Sequence, residues 1–296
     1  MGSDSFYPEE RPSHEATVDA FWIDRHPVTN AQFHDFVEQT GYVTVAERVP
    51  SRADYPDADP DLLAAGSLVF VRTAGPVDLR DHRAWWRYLP GASWRCPQGP
   101  ESSLDGRWDH PVVHVAYDDA AAYAAWAGRQ IPTEAEWEFA ARAGLDRATY
   151  SWGDELDPDG RAMANTWQGR FPWENLEIDG YGGTSPVGAF PANGYGLLDM
   201  IGNVWEWTSD AFRSHPARAA GGSCCAPRAP GSGRAVHTDA TGSASHNVMK
   251  GGSHLCAPNY CRRYRPAARQ AQAIDTSSCH MGFRCVTRET AASTRR

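Results

Sequence analysis

Glycine and proline recur along the whole chain, 27 and 21 times in 296 residues. Each one interrupts a helix or a strand ladder, glycine by its conformational freedom and proline by its missing N–H. Long helices and a broad regular sheet are therefore excluded. The apolar share is ordinary at 41%, and a chain of this length buries a substantial core. Twelve tryptophans supply large side chains for that core. The composition implies a compact, loop-rich α+β domain with little regular secondary structure.

Lysine and arginine number 28 against 37 aspartates and glutamates, a formal charge of −9. A nucleic-acid partner is not expected, because phosphate binding needs clustered basic charge. The local run Arg262, Arg263 and Arg265 still offers a site for a small anion. No stretch reaches the ~18 apolar residues that cross a bilayer, so no membrane partner is expected. The polar start Met1-Gly-Ser-Asp-Ser-Phe-Tyr-Pro-Glu-Glu lacks the apolar core of a signal peptide. Seven cysteines leave at least one outside any intramolecular disulfide. Both features fit a cytoplasmic, monomeric protein.

Local signals predict a few elements. Thr29 can cap a helix that buries Phe33, Phe36 and Val37 and ends at Gly41. Pro111–Val115 reads as a short buried strand, followed by a helix over 118–127 closed by Gly128. Thr133 and Glu136 have capping-box spacing at the head of a third helix that Gly144 stops. Residues 145–210 read as turns and aromatics. Residues 213–248 read as a surface insertion, and Met281–Val286 as a last strand. The domain spans 1–290, with 291–296 as a tail. His110 and His114 flank an apolar run and read as hydrogen-bonded structural histidines.

The segment Lys250-Gly-Gly-Ser-His-Leu-Cys256-Ala-Pro-Asn-Tyr-Cys261 places two thiols five positions apart. Such a pair can bind a soft metal, form a redox disulfide or sit inert in a core. A structural zinc site would need four ligands, and no second pair with suitable spacing is present.

Several further stretches occur in order: Asn30-Ala-Gln-Phe, Gly41-Tyr-Val-Thr, His110-Pro-Val-Val-His-Val, Pro132-Thr-Glu-Ala-Glu-Trp-Glu, Asn193-Gly-Tyr-Gly-Leu, Gly202-Asn-Val-Trp-Glu-Trp, Lys250-Gly-Gly-Ser and Gly282-Phe-Arg-Cys. Together with the paired cysteines they resemble the formylglycine-generating enzymes, the sulfatase-modifying factor family. The resemblance implies a fold related to C-type lectins. It also implies that Met1-Gly2-Ser3 follows a first strand that this sequence lacks.

The same resemblance implies a Cu(I) site on Cys256 and Cys261 in near-linear geometry, with a third position for the thiolate of a substrate cysteine. The implied substrate is an unfolded sulfatase or peptide bearing Cys-x-Pro-x-Arg. With O2 its cysteine loses a hydrogen from Cβ, and the resulting thioaldehyde hydrolyses to Cα-formylglycine. Ser253 is a candidate to hydrogen-bond oxygen or the substrate thiolate, and Trp205 to wall the pocket. Trp85, Trp86, Tyr260 and His280 are candidates for the peptide groove. Two structural Ca2+ sites are implied: Asn165, Thr166, Asp179 and Tyr181, and then Asp199, Gly202, Val204 and Glu206. Many members carry His after the first cysteine, where this chain has Ala257. Ala124 and Pro266 replace cysteines that form disulfides in secreted relatives. Cys224 and Cys225 fall in the insertion, while Cys96 and Cys279 carry no assignment.

Two other functions compete. An iron-dependent sulfoxide synthase would normally carry a further helical domain with a His-x3-His-x-Glu motif, which is not found in this sequence. A non-catalytic lectin-like binding module would have no need of both Cys256 and Cys261.

Overall fold

The computed structural model describes residues 1–53, 56, 63–213 and 245–289. Most of the insertion expected at 213–248, with Cys224 and Cys225, lies outside them, as does the tail. Among the described residues three α-helices are present: α1 (Asn30–Thr40), α2 (Tyr117–Trp126) and α3 (Glu134–Arg142). Eight short strands follow in chain order: β1 (Phe21–Ile23), β2 (Gly66–Phe70), β3 (Trp86–Pro90), β4 (Trp205–Ala211), β5 (His246–Lys250), β6 (Arg269–Ala273), β7 (Met281–Gly282) and β8 (Val286–Arg288). β5 takes in residues 246–248, so the insertion is shorter at that end than its composition implied.

The strands form a four-stranded sheet of order β6-β5-β4-β7 and two antiparallel pairs, β1-β8 and β2-β3. β4 and β7 run parallel, and the other ladders are antiparallel. No helix is long and apolar enough to cross a membrane among the described residues.

Helix ends follow local chemistry. The Thr29 hydroxyl accepts the Gln32 N–H, and Gly41 closes α1 in a left-handed conformation. The Thr133 hydroxyl accepts the Glu136 N–H, and Glu136 returns the bond to the Thr133 N–H. The stop of α3 is Ala143, itself left-handed at φ 49°, one residue before the expected glycine. Two strand expectations differ. Residues 111–115 are buried but make no ladder, because Val112 donates to Val28 and His114 to Ser278, and His114 has φ 59°. The stretch 281–286 divides, with β7 completing the large sheet and β8 crossing to β1.

The main core joins Phe33, Phe36, Trp94, Trp205, Trp207, Met249, Tyr264 and Phe283, and both Cys256 and Cys261 belong to it. Trp85, Trp167, Phe171, Leu255 and Ala257 form a second cluster. α3 rests on β4 and β5 across a layer of buried charge. Glu134 and Glu138 share one face of the helix, four residues apart. Lys250 donates to Glu138 at 2.9 Å and Arg269 to Glu134 at 2.8 Å. These two cations are directly opposed across β5 and β6. On β4, Glu206 accepts two bonds from Arg284, at 2.7 and 2.8 Å, and one from the Trp137 indole at 2.9 Å. Breaking such a buried pair strands a charge and costs ~3–5 kcal/mol.

Burial opposes ionisation of Glu138, but Lys250 and Arg142 outweigh it and hold the carboxyl down to about 2. Its contribution is therefore complete above the ordinary value of 4.5 and is lost as pH falls toward 2. Glu138→Gln should destabilise the fold by ~3 kcal/mol at pH 7. It should also flatten the decline in stability between these two pH values, followed by urea unfolding with tryptophan fluorescence. An unchanged slope would remove Glu138 from the account of acid sensitivity.

Candidate functional site

The site grows from the end of β5. Gly251 and Gly252 both have positive φ, at 93° and 72°. A Cβ at Gly252 would lie 2.8 Å from the Tyr264 nitrogen, so two backbone segments meet there without room for a side chain. Beyond them Cys256 N–H donates to the Ser253 carbonyl at 2.9 Å, and Cys261 N–H to that of Ala257 at 2.8 Å. These turns fold Cys261 back onto Cys256.

The two sulfurs are 3.1 Å apart, well beyond a disulfide bond of about 2.04 Å. Cys256 is 2% exposed and Cys261 7%. Burial, with Cys261 as neighbour, raises the Cys256 thiol well above its ordinary range. The S–H bond from Cys256, together with the Arg263 guanidinium, lowers Cys261 against its own burial. The two sulfurs therefore titrate as a pair, with Cys261 the one that ionises first. Ser253 N–H lies 3.4 Å from the Cys256 sulfur, and Arg263 Nη1 lies 3.9 Å from that of Cys261.

Two soft donors of this kind suit Cu(I). Their spacing differs from the near-linear expectation. With metal–sulfur bonds of about 2.3 Å, sulfurs this close would subtend only about 85° at a shared ion. The arrangement is that of a hydrogen-bonded pair, which must spread to take up metal. Among the described residues no group of three His, Cys, Asp or Glu side chains is placed to hold a metal.

Around the pair, Ser253 Oγ lies 3.0 Å from His280 Nδ1 and also accepts the Leu255 N–H. Burial, then the neighbouring His254 and His114, lower His280 to about 3, so its ring is neutral at physiological pH. Trp86 packs edge-on against His280 at 4.9 Å. Tyr260 stacks on Phe171 at 4.6 Å, with Trp85 meeting both rings edge-on. Tyr260 is 39% exposed but Trp85 only 1%. Trp85 thus lies beneath Tyr260 and Phe171, out of reach of solvent. Trp205 is buried in the core that holds the cysteines, and its N–H donates to the His280 carbonyl at 2.8 Å. Ala257 is fully buried in the second aromatic cluster, so packing occupies that position.

His114 is satisfied on both ring nitrogens, by Ser67 at 2.8 Å and the Pro97 carbonyl at 2.9 Å. His110 meets Thr184 at 2.9 Å. Cys279 accepts the Phe70 N–H, and burial pushes it up to about 12. Arg263 and Arg265 do not form a free anion site, because they pair with Glu9 and Glu10. Arg263 is the residue that sequence reasoning missed at the thiol pair. Its partner Glu9 stands 254 positions earlier, beyond the reach of any local pattern.

The first calcium cluster presents an orphaned acceptor. Asn165 is buried and its Nδ2 donates to Gly183, but Oδ1 has no partner. Asp179 accepts N–H bonds from Tyr181 and Thr166, yet burial raises its carboxyl. A hard cation would relieve both groups. The second cluster differs. Glu206 is already compensated by Arg284, and Asp199 accepts the Gly188 N–H. No buried side-chain oxygen of either residue lacks a partner there, so the argument for a cation rests on the first cluster.

These elements define a loop-rich α+β scaffold built around a buried thiol pair. The same scaffold is found in PvdO from Pseudomonas aeruginosa, which superposes with a TM-score of 0.61 at 24% identity, over 97% of this chain and 89% of that one. Residues 1–289 match the model of the sulfatase-modifying factor enzyme 1-like domain, and the chain belongs to that family. It is similar to the formylglycine-generating enzyme of Mycobacterium tuberculosis, at 59% identity over 97% of this chain and 93% of that protein. It is also similar to that of Thermomonospora curvata, at 45% identity over 94% and 86%.

Replacing Cys256 with alanine removes the S–H donor that lowers Cys261. In metal-free protein, labelling of Cys261 by iodoacetamide, mapped by peptide mass, should then require higher pH than in wild type. Superimposable pH profiles would show that Cys256 does not hold the thiolate.

Proposed function

We propose that this protein converts a cysteine within a Cys-x-Pro-x-Arg segment of an unfolded sulfatase to Cα-formylglycine, using O2 and Cu(I) held by Cys256 and Cys261. The observation that carries the reading is the buried, unbridged pair of sulfurs at 3.1 Å, in a chain so similar to curated formylglycine-generating enzymes. Bound Cu(I) supplies one-electron chemistry with O2 and a further position for the substrate's thiolate.

Dioxygen takes four electrons on its way to water. Two come from the substrate as its cysteine becomes a thioaldehyde, and two come from an external reductant. Water then replaces sulfur, releasing sulfide and the aldehyde.

The chain's own groups prepare this chemistry. Burial keeps bulk water away from the sulfurs and strengthens their electrostatics. Arg263 offsets the negative charge on Cys261. Ser253 Oγ, held by His280, faces the same region as the Cys256 sulfur that its own N–H approaches. The neutral His280 ring orients the Ser253 hydroxyl, which it meets at 3.0 Å. The half-exposed Tyr260 on Phe171 offers a flat apolar face beside Cys261, suited to the peptide's proline.

The decisive experiment incubates copper-loaded protein with a Cys-x-Pro-x-Arg peptide, O2 and a thiol reductant, and measures the aldehyde by mass spectrometry. Cys256→Ala and Cys261→Ala should each lose at least about 100-fold in rate. Equal yields from wild type and either variant would end the copper-oxidase reading.

The orphaned Asn165 oxygen supports Ca2+ at the first cluster. Chelation with EGTA should lower the Tm of the wild type by several degrees. Asn165→Ala, already missing a ligand, should start lower and respond less. An identical response in both would place no cation at Asn165.

A further inference from the structure

We propose that the N-terminal arm, residues 6–10, is a positioning device for Cys261 that acts through Arg263. The proposal rests on the thiol-pair reading above and adds residues some 250 positions away in sequence. Gly2 N–H donates to Glu138 at 2.8 Å, and Ser3 N–H donates to the Glu10 carbonyl at 3.2 Å. Glu10 in turn forms a buried two-point pair with Arg265. The arm is therefore fastened on both sides of Tyr7 and Glu9.

Those two residues determine how Arg263 is held. Glu9 Oε1 accepts from Nη2 at 2.6 Å and from Nε at 3.2 Å. The Tyr7 ring lies against the guanidinium at 4.0 Å, and the Tyr7 hydroxyl accepts the Arg262 N–H at 2.9 Å. With one edge of the fork engaged by Glu9 and one face by Tyr7, Nη1 is left turned to the Cys261 sulfur at 3.9 Å. The backbone of Arg263 has no freedom to retreat, because Gly252 lies against it closely enough to exclude a Cβ. The guanidinium carries charge, planarity and a fixed direction, and ammonium would supply only the first. An arginine side chain left to itself occupies many rotamers, so the arm is what makes the contact with the sulfur single-valued. Glu9 and Tyr7 are positioning residues, since neither touches the sulfur.

The test uses the full chain and two readouts. In metal-free protein, hydrogen–deuterium exchange of the segment 261–265 should quicken about tenfold in Glu9→Gln and also rise in Tyr7→Phe. Affinity for Cu(I) itself, measured by competition with a chromophoric Cu(I) chelator, should fall about tenfold in Glu9→Gln and in Arg263→Lys. Arg263→Lys keeps size and charge, so it serves if Glu9→Gln folds poorly. Unchanged exchange in Glu9→Gln would overturn the proposal. Faster exchange with wild-type Cu(I) affinity would overturn it too, because the arm would then order backbone without placing the sulfur. Failure of the wild type to bind Cu(I) would count against the copper reading, and the exchange result would still decide whether the arm orders Cys261.

Discussion

The layer of charge between α3 and the four-stranded sheet is the interaction on which the rest of the molecule depends. Lys250 lies at its centre, fully buried, with Glu138 and Glu134 above it on the helix. The two residues that follow are the glycines that turn the chain into Ser253 and Cys256. Any shift of Lys250 therefore moves the reactive segment directly. Arg269 ties β6 to Glu134, and Arg284 ties the far side of the sheet to Glu206. Each charge is compensated within the layer, which is why the strands can be short. Register is held by ion pairs of fixed direction where long ladders are absent.

The site grows out of this frame by backbone geometry. Two left-handed glycines and two tight turns bring Cys261 onto Cys256, and the surrounding core excludes solvent from both. Coupling between the two sulfurs then follows from their proximity and burial. Gly2 joins the layer at Glu138 and Glu9 joins the reactive segment at Arg263, so the same carboxylate that steadies α3 also anchors the residues leading into the arm.

Helix ends were legible in the sequence because capping is local. Thr29, Gly41, Thr133 and Glu136 act within one turn of where they stand, while the stops at Ala127 and Ala143 each came a residue before the expected glycine. Strands were less legible. Pieces of two to seven residues carry little periodicity, and 281–286 reads as one strand although its two ends belong to different sheets. At the site the cysteines were legible through their flanking residues. Arg263 was not, because its role depends on Glu9, far away in sequence. Trp85 was placed on the groove for a related reason: an aromatic side chain announces packing but not which side of a wall it occupies. Glu206 looked like a cation ligand until Arg284, 78 positions later, was found against it.

The burial of the thiol pair within the main core bears on how this enzyme can diversify. The reactive atoms share their packing with Trp205, Tyr264 and Phe283, so substitutions near them register as losses of folding before they register as new chemistry. Selection has little room there. Tyr260 and Trp86 differ in standing partly in solvent, packed on one side only, against Phe171 and Phe70. Directed evolution that must keep the fold intact therefore has more room at those two positions than beside the sulfurs.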